Sequence, residues 1–204
     1  CNALDALAQG IESMWAVNAN DISREIAHEA VLNCFKNIND YVNNTDNNTE
    51  ISQKALEAAN LAGQAINISK TTAPHALSYS LTSNFSIPHG HAVALTLGYF
   101  FEINELNKNK TNVSKGIDLD ELINNIKEIK TLLGWSKYNF LSEWRQLMVE
   151  CGLYTHIKID REPKYFLNNL VKSVNSERLS NHPIKIAQNT ISDIYSKILY
   201  YKSI

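Results

Sequence analysis

Three of the chain's six histidines, His75, His89 and His91, fall inside the stretch KTTAPHALSYSLTSNFSIPHGHAVALT at positions 70–96, and two of its four prolines, Pro74 and Pro88, stand beside them. Imidazole is the commonest protein ligand for borderline divalent ions. Two imidazoles can meet at one point when a turn joins the helices that carry them, as the segment SNFSIP does between His75 and His89. Near the N-terminus, Asp5 and Gln9 are four residues apart, so both project from one face of a helix. A carboxylate plus two imidazoles holds Zn²⁺ or Fe²⁺ with coordination positions left open. Each residue also has a plainer role. A single His at a helix start more often caps or hydrogen-bonds, Asp5 can serve the helix dipole as a first-turn acid, and Gln9 can be a solvent-facing helix former. Residue types alone leave both readings open.

Helical periodicity dominates the elements that must position these groups. Leu4, Leu7, Ala8, Ile11 and Trp15 form one stripe, and Ile22, Ile26, Ala30, Cys34, Ile38 and Tyr41 form another behind Asp21 as N-cap. The polar, Asn-rich run from Tyr41 to Glu50 reads as an exposed connection. From Ser52 to Ile68 the apolar face is built of Ala55, Ala58, Ala59, Ala62 and Ala65 with Gly63, small residues that admit a close helix neighbour and predict a central helix. Helices are expected from His75 to Thr82, His89 to Asn104, Asp118 to Leu133, Asn139 to Glu150 (stopped by Gly152), Pro163 to Val174 and Ile184 to Tyr201. The alternating stretch Tyr154 to Asp160 reads as a short strand or an extended connector. The expectation is an all-α fold of about eight or nine helices in one domain covering 1–204.

Composition removes several function classes. The chain has 204 residues, 44% of them hydrophobic, enough for a sizeable core. A net charge of −2 from interspersed acids and bases gives no basic stripe, so nucleic acid is not an expected partner. No apolar run is long enough to span a membrane, and no secretory signal is recognisable, so a cytoplasmic protein is expected. Cys1, Cys34 and Cys151 lack metal or disulfide spacing and are expected as free thiols, with Cys34 buried.

DALAQGIES at Asp5–Ser13, followed by PHALSYSLTSNFSIPHGHAVAL at Pro74–Leu95, resembles the C-terminal helical domain of the iron-containing (group III) alcohol dehydrogenases, a dehydroquinate synthase-like domain. The family pattern is an Asp with a His four residues later, a distant second His, and a third in a Pro-His-Gly triplet. Asp5, His75 and His89 match, as does Pro88-His89-Gly90. RLSNHPIKI at Arg178–Ile186 is similar to the family's segment before its last helix. The resemblance implies a metal site of Asp5, His75 and His89 binding Fe²⁺ or Zn²⁺. Gln9 stands where the family carries a second His ligand, which makes it a weak fourth ligand or a partner of one. Tyr79 replaces a His that many members carry near the nicotinamide.

Lys70 and His91 are similar to residues of the phosphonoacetaldehyde reductase branch. With Tyr79 they are the expected substrate-side residues. Beside that stands the plain interpretation of Lys70 as a cation at a helix C-terminus and of His91 as a helix-surface residue. The implied activity is NAD(P)-linked reduction of a small aldehyde, or oxidation of an alcohol, with no catalytic residues beyond the metal ligands. Dehydroquinate synthase-like or glycerol-phosphate dehydrogenase-like chemistry and a non-catalytic remnant are the alternatives. The seven glycines are isolated and form no G-x-G-x-x-G. The resemblance therefore implies that NAD(P)H is bound mainly by an N-terminal nucleotide-binding domain absent from this chain, which alone should be inactive; a homodimer is compatible with it.

Overall fold

Among the described residues, ten α-helices make up most of the structure, a computed structural model describing residues 1–44, 46, 48–107 and 109–201. They are α1 (Asn2–Trp15), α2 (Asp21–Val42), α3 (Thr49–Ser69), α4 (Ala73–Phe85), α5 (His89–Leu106), α6 (Leu119–Leu132), α7 (Phe140–Glu150), α8 (Lys164–Lys172), α9 (Ser176–Ser180) and α10 (Gln188–Ile198). Among the described residues the only strands are β1 (Ile157–Lys158) and β2 (Leu199–Tyr200), which pair in parallel. The all-α expectation holds, with a short α9 added to the expected set.

The predicted α1 stripe is buried along its whole length. α5 is buried on almost every face from Gly90 to Phe101, because its sequence is apolar all round rather than on one side. These two helices, in contact with each other, form the centre. The expectation of a central α3 is corrected. Ala58, Ala62 and Ala65 do pack closely against α1 and α2, yet Leu56 on the same helix is 71% exposed. Small residues there permit close approach on one face only.

Other differences have local causes. Asn20, not Asp21, caps α2, because its side chain accepts from the Ser23 amide while the Ser23 hydroxyl accepts from the Asn20 amide. Ile22 and Tyr41, expected on the buried stripe of α2, are exposed near its two ends. The Asn-rich connection contains Thr45 and Asn47, which lie outside the described residues. The last helix starts at Gln188 rather than Ile184, since Ile184 is drawn into a bridge with Val113, and it gives way to β2 beyond Ile198. Tyr154–Asp160 supplies the short strand β1. Among the described residues no helix is long and apolar enough to cross a membrane. Cys1, Cys34 and Cys151 are free, and burial pushes the Cys34 thiol up to about 12.

Candidate metal centre

Three helix N-terminal turns converge on one point. α1 brings Asp5 in its first turn, α4 brings His75 in its first turn, and α5 begins at His89. Two devices bring these turns together. Gly90 lies so close to the start of α1 that a Cβ there would stand 2.6 Å from the Cys1 carbonyl oxygen and 2.9 Å from Asp5 Cβ. The Pro-His-Gly triplet thus seats His89 against Asp5. The second device is the extended segment of Lys70 to Thr72, entered through a left-handed Lys70 at φ +60. It carries Thr72 to Glu12, whose Oε2 accepts from the Thr72 amide at 2.6 Å and from its hydroxyl at 2.7 Å. Trp15 Nε1 donates to the same hydroxyl oxygen.

Among the described residues, one ligand atom each of Asp5, His75 and His89 lies within 4.8 Å of the others. Asp5 Oδ1 is 3.5 Å from His75 Nε2 and 4.0 Å from His89 Nε2. Asp5 Oδ1 and His75 Nε2 are both buried without a hydrogen-bond partner. Buried polar atoms left unpaired are uncommon and destabilising. Here two of them face each other beside a third donor. That arrangement of one carboxylate oxygen and two imidazole nitrogens fits a divalent cation of the zinc or iron kind.

Glu12 decides which nitrogen of His75 points inward. Its buried carboxylate contacts His75 Nδ1 directly, so that nitrogen keeps its proton and Nε2 is the one that faces the centre, able to ligate a cation that displaces its proton. Burial lowers the His75 pKa, but the charge of Glu12, assisted by Asp5, outweighs it and raises the value to about 9. His89 is half-exposed and is lowered, first by burial and then by the neighbouring positive groups of His75 and Arg178 against the opposing pull of Asp5. Its Nδ1 lies 3.5 Å from the Ser78 hydroxyl, a looser hold than His75 has.

Gln9 donates its amide N–H to Asp5 Oδ2 at 3.0 Å, fixing the carboxylate with Oδ1 toward the histidines. Tyr79, one turn after His75, sets its ring 5.3 Å from that of His89. Lys70 Nζ donates to the Asn67 carbonyl at the C-terminus of its own helix, as the dipole interpretation expects. His91 is not a surface residue. It is buried, its ring centroid lies 4.0 Å from that of Tyr154, and its Nε2–H donates to the Tyr154 carbonyl at 2.7 Å. Sequence reasoning missed Glu12, Thr72 and Arg178. Glu12 had a signal, since it continues the face of Asp5 and Gln9 at the next helical turn in an otherwise apolar segment. Arg178 opens the segment RLSNHPIKI, whose resemblance marks the stretch but gives no sign that this side chain reaches Tyr79 beside the site.

Residues 2–199 match the family described as Fe-containing alcohol dehydrogenase family, C-terminal. Among relatives, a phosphonoacetaldehyde reductase of Streptomyces viridochromogenes is 33% identical over 101 residues, 50% of this chain and 25% of that protein. A 1,3-propanediol dehydrogenase of Klebsiella pneumoniae is 26% identical over 156 residues, 76% of this chain and 38% of that one. Among solved structures, sulfoacetaldehyde reductase from Bifidobacterium kashiwanohense in complex with NAD⁺ is similar with a TM-score of 0.75 and 28% identity, covering 96% of this chain and 48% of that one. The chain therefore spans half or less of the length of these relatives.

Proposed function

From the chain's membership of the Fe-containing alcohol dehydrogenase family, whose members are oxidoreductases, we propose that it is the metal- and substrate-binding domain of an NAD(P)-linked aldehyde reductase. The observation that carries this reading is the pair of buried, unpartnered atoms, Asp5 Oδ1 and His75 Nε2, directed at the space that His89 also borders. A divalent cation held there by Asp5, His75 and His89 would supply electrophilic stabilisation of the charge that develops on the substrate oxygen during hydride transfer.

The chain's own side chains do the rest. Asp5 brings one negative charge to the centre, which would leave a divalent cation there with a net positive charge of one. Glu12 holds a proton on His75 Nδ1, which fixes the tautomer and ring plane. Gln9 orients the Asp5 carboxylate rather than ligating through its carbonyl, consistent with its amide nitrogen on Oδ2. Tyr79 walls the side of the site next to His89 and offers no imidazole for proton transfer. The burial of His91 against Tyr154 favours a packing role, and the engaged ammonium of Lys70 stands at the margin. NAD(P)H is then bound by a separate nucleotide-binding domain, in keeping with the coverage of about half of the NAD⁺-bound neighbour and with the isolated glycines.

The test is oxidation of NADH or NADPH by the polypeptide in which this domain is joined to its nucleotide-binding partner, loaded with Zn²⁺ or Fe²⁺ and offered short-chain aldehydes. Aldehyde-dependent turnover that disappears in His75→Ala is the expected result. No aldehyde-dependent oxidation with either metal would contradict the proposal.

A further inference from the structure

Arg178, on the short helix α9, is far in sequence from every ligand yet packs on Tyr79, the ring that neighbours His89. Its Nη1 donates to the Thr71 hydroxyl at 2.7 Å, and its guanidinium carbon lies 4.9 Å from the centre of the Tyr79 ring. That ring is in turn 5.3 Å from that of His89, so the guanidinium and the metal-facing imidazole border the same aromatic side chain. The anchoring is shared as well. Thr71 holds Arg178, and the next residue, Thr72, holds the carboxylate that fixes His75. The same extended segment therefore anchors both the cation and the carboxylate behind the centre.

Among the described residues Arg178 forms no ion pair with any carboxylate. It borders a polar cleft of about 250 Å³ with Asn18, Lys70, Thr71, Glu177 and Asn181, and the buried Asn181 is itself tied to the backbone carbonyls of Ser69 and Thr71. An arginine stacked on a ring and tethered by a hydroxyl has already lost its rotamer freedom, and its remaining N–H groups form a planar fork suited to oxyanions. A cation held this way without a counter-ion, one ring from a reaction centre, suits a substrate that brings its own negative charge.

We infer that Arg178 is the specificity-determining residue that recognises an anionic group, phosphonate or sulfonate, at the far end of a short-chain aldehyde whose carbonyl lies at the Asp5–His75–His89 centre. The inference rests on the aldehyde reductase reading above and deepens it. Lys70, on the same cleft, adds long-range attraction for the anion. The two named relatives that act on phosphono- and sulfoacetaldehyde are in keeping with this chemistry.

The kinetic test compares phosphonoacetaldehyde with uncharged butyraldehyde in the joined enzyme, for the wild type, Arg178→Gln and Arg178→Lys. The ratio of kcat/KM for the anionic over the neutral aldehyde should fall about 10- to 100-fold in Arg178→Gln through a raised KM, as expected for loss of a charge-assisted fork, and Arg178→Lys should lie between. Equal losses on both aldehydes, or an unchanged ratio, would overturn the inference while leaving the reductase reading intact. A second measurement needs no turnover. Calorimetric titration of the 204-residue chain with methylphosphonate should show saturable binding that weakens at least about tenfold in Arg178→Gln and less in Arg178→Lys. Absent or equal binding in the three proteins would sink the inference, whereas wild-type binding without any aldehyde turnover would sink only the reductase reading.

Discussion

Replacing Glu12 with Gln isolates the support behind the centre, because the shape changes little and one buried negative charge disappears. In the metal-free chain His75 has its pKa raised from 6.5 to about 9. At about 1.4 kcal/mol per pH unit, that gap corresponds to roughly 3 kcal/mol of folding stability. The sign follows from proton binding: with the folded value above the unfolded one, the contribution is complete below about pH 6.5 and is lost as pH rises through about 9. Glu12 is the largest of the influences that raise the value, ahead of Asp5. The variant should therefore lose most of this alkaline limb. Urea denaturation of chelator-treated protein at pH 6, 7.5 and 9 reads it directly: the wild type weakens across the series, Glu12→Gln stays flatter, and the stability difference between them shrinks as pH rises. Metal affinity should also fall about 10- to 100-fold, as for other carboxylates that orient a ligating histidine. Parallel stability curves for the two proteins, with unchanged Zn²⁺ affinity, would refute the role given to Glu12.

Gln9→His introduces an imidazole one turn from Asp5, and Fe²⁺ should bind at least about tenfold tighter by competition titration; unchanged affinity would show that position 9 does not reach the ion. Gly90→Ala forces a Cβ against the Cys1 carbonyl and Asp5, so it should destabilise the chain by about 1–3 kcal/mol in chemical denaturation and loosen metal binding with it. Buried His182, held neutral with a pKa lowered to about 3, should make the fold weaken as pH falls below about 6.5, since the unfolded chain takes up a proton that the folded one refuses. His182→Leu should flatten that acid limb in the same denaturation series.

Much of this architecture was legible in the chain because helical periodicity is local. The stripe from Leu4 to Trp15 names the buried face of α1 directly, and the unbroken apolar run of α5 announces a helix surrounded by others. The three ligands were legible because the Pro88-His89-Gly90 triplet and the Asp5 turn have restrictive spacing, although their meeting had to be seen in space. What escaped depends on tertiary placement. The cap of α2 moved to Asn20 because its side chain reaches the Ser23 amide, whereas the acid at position 21 lies inside the first turn. Small residues in α3 looked central because composition does not reveal how many faces of a helix are covered. His91 looked like a surface residue because its partner, the Tyr154 carbonyl, is a backbone group more than sixty positions away. Arg178 shares no periodicity with the residues it joins.

Cobalt titration of the metal-free chain tests the metal centre most directly. One equivalent of Co²⁺ should bind with d–d absorption of a low-coordinate nitrogen–oxygen site, and the signal should be lost in Asp5→Asn, His75→Ala and His89→Ala. Failure of the wild type to bind Co²⁺ saturably, or a spectrum indifferent to all three substitutions, would contradict it.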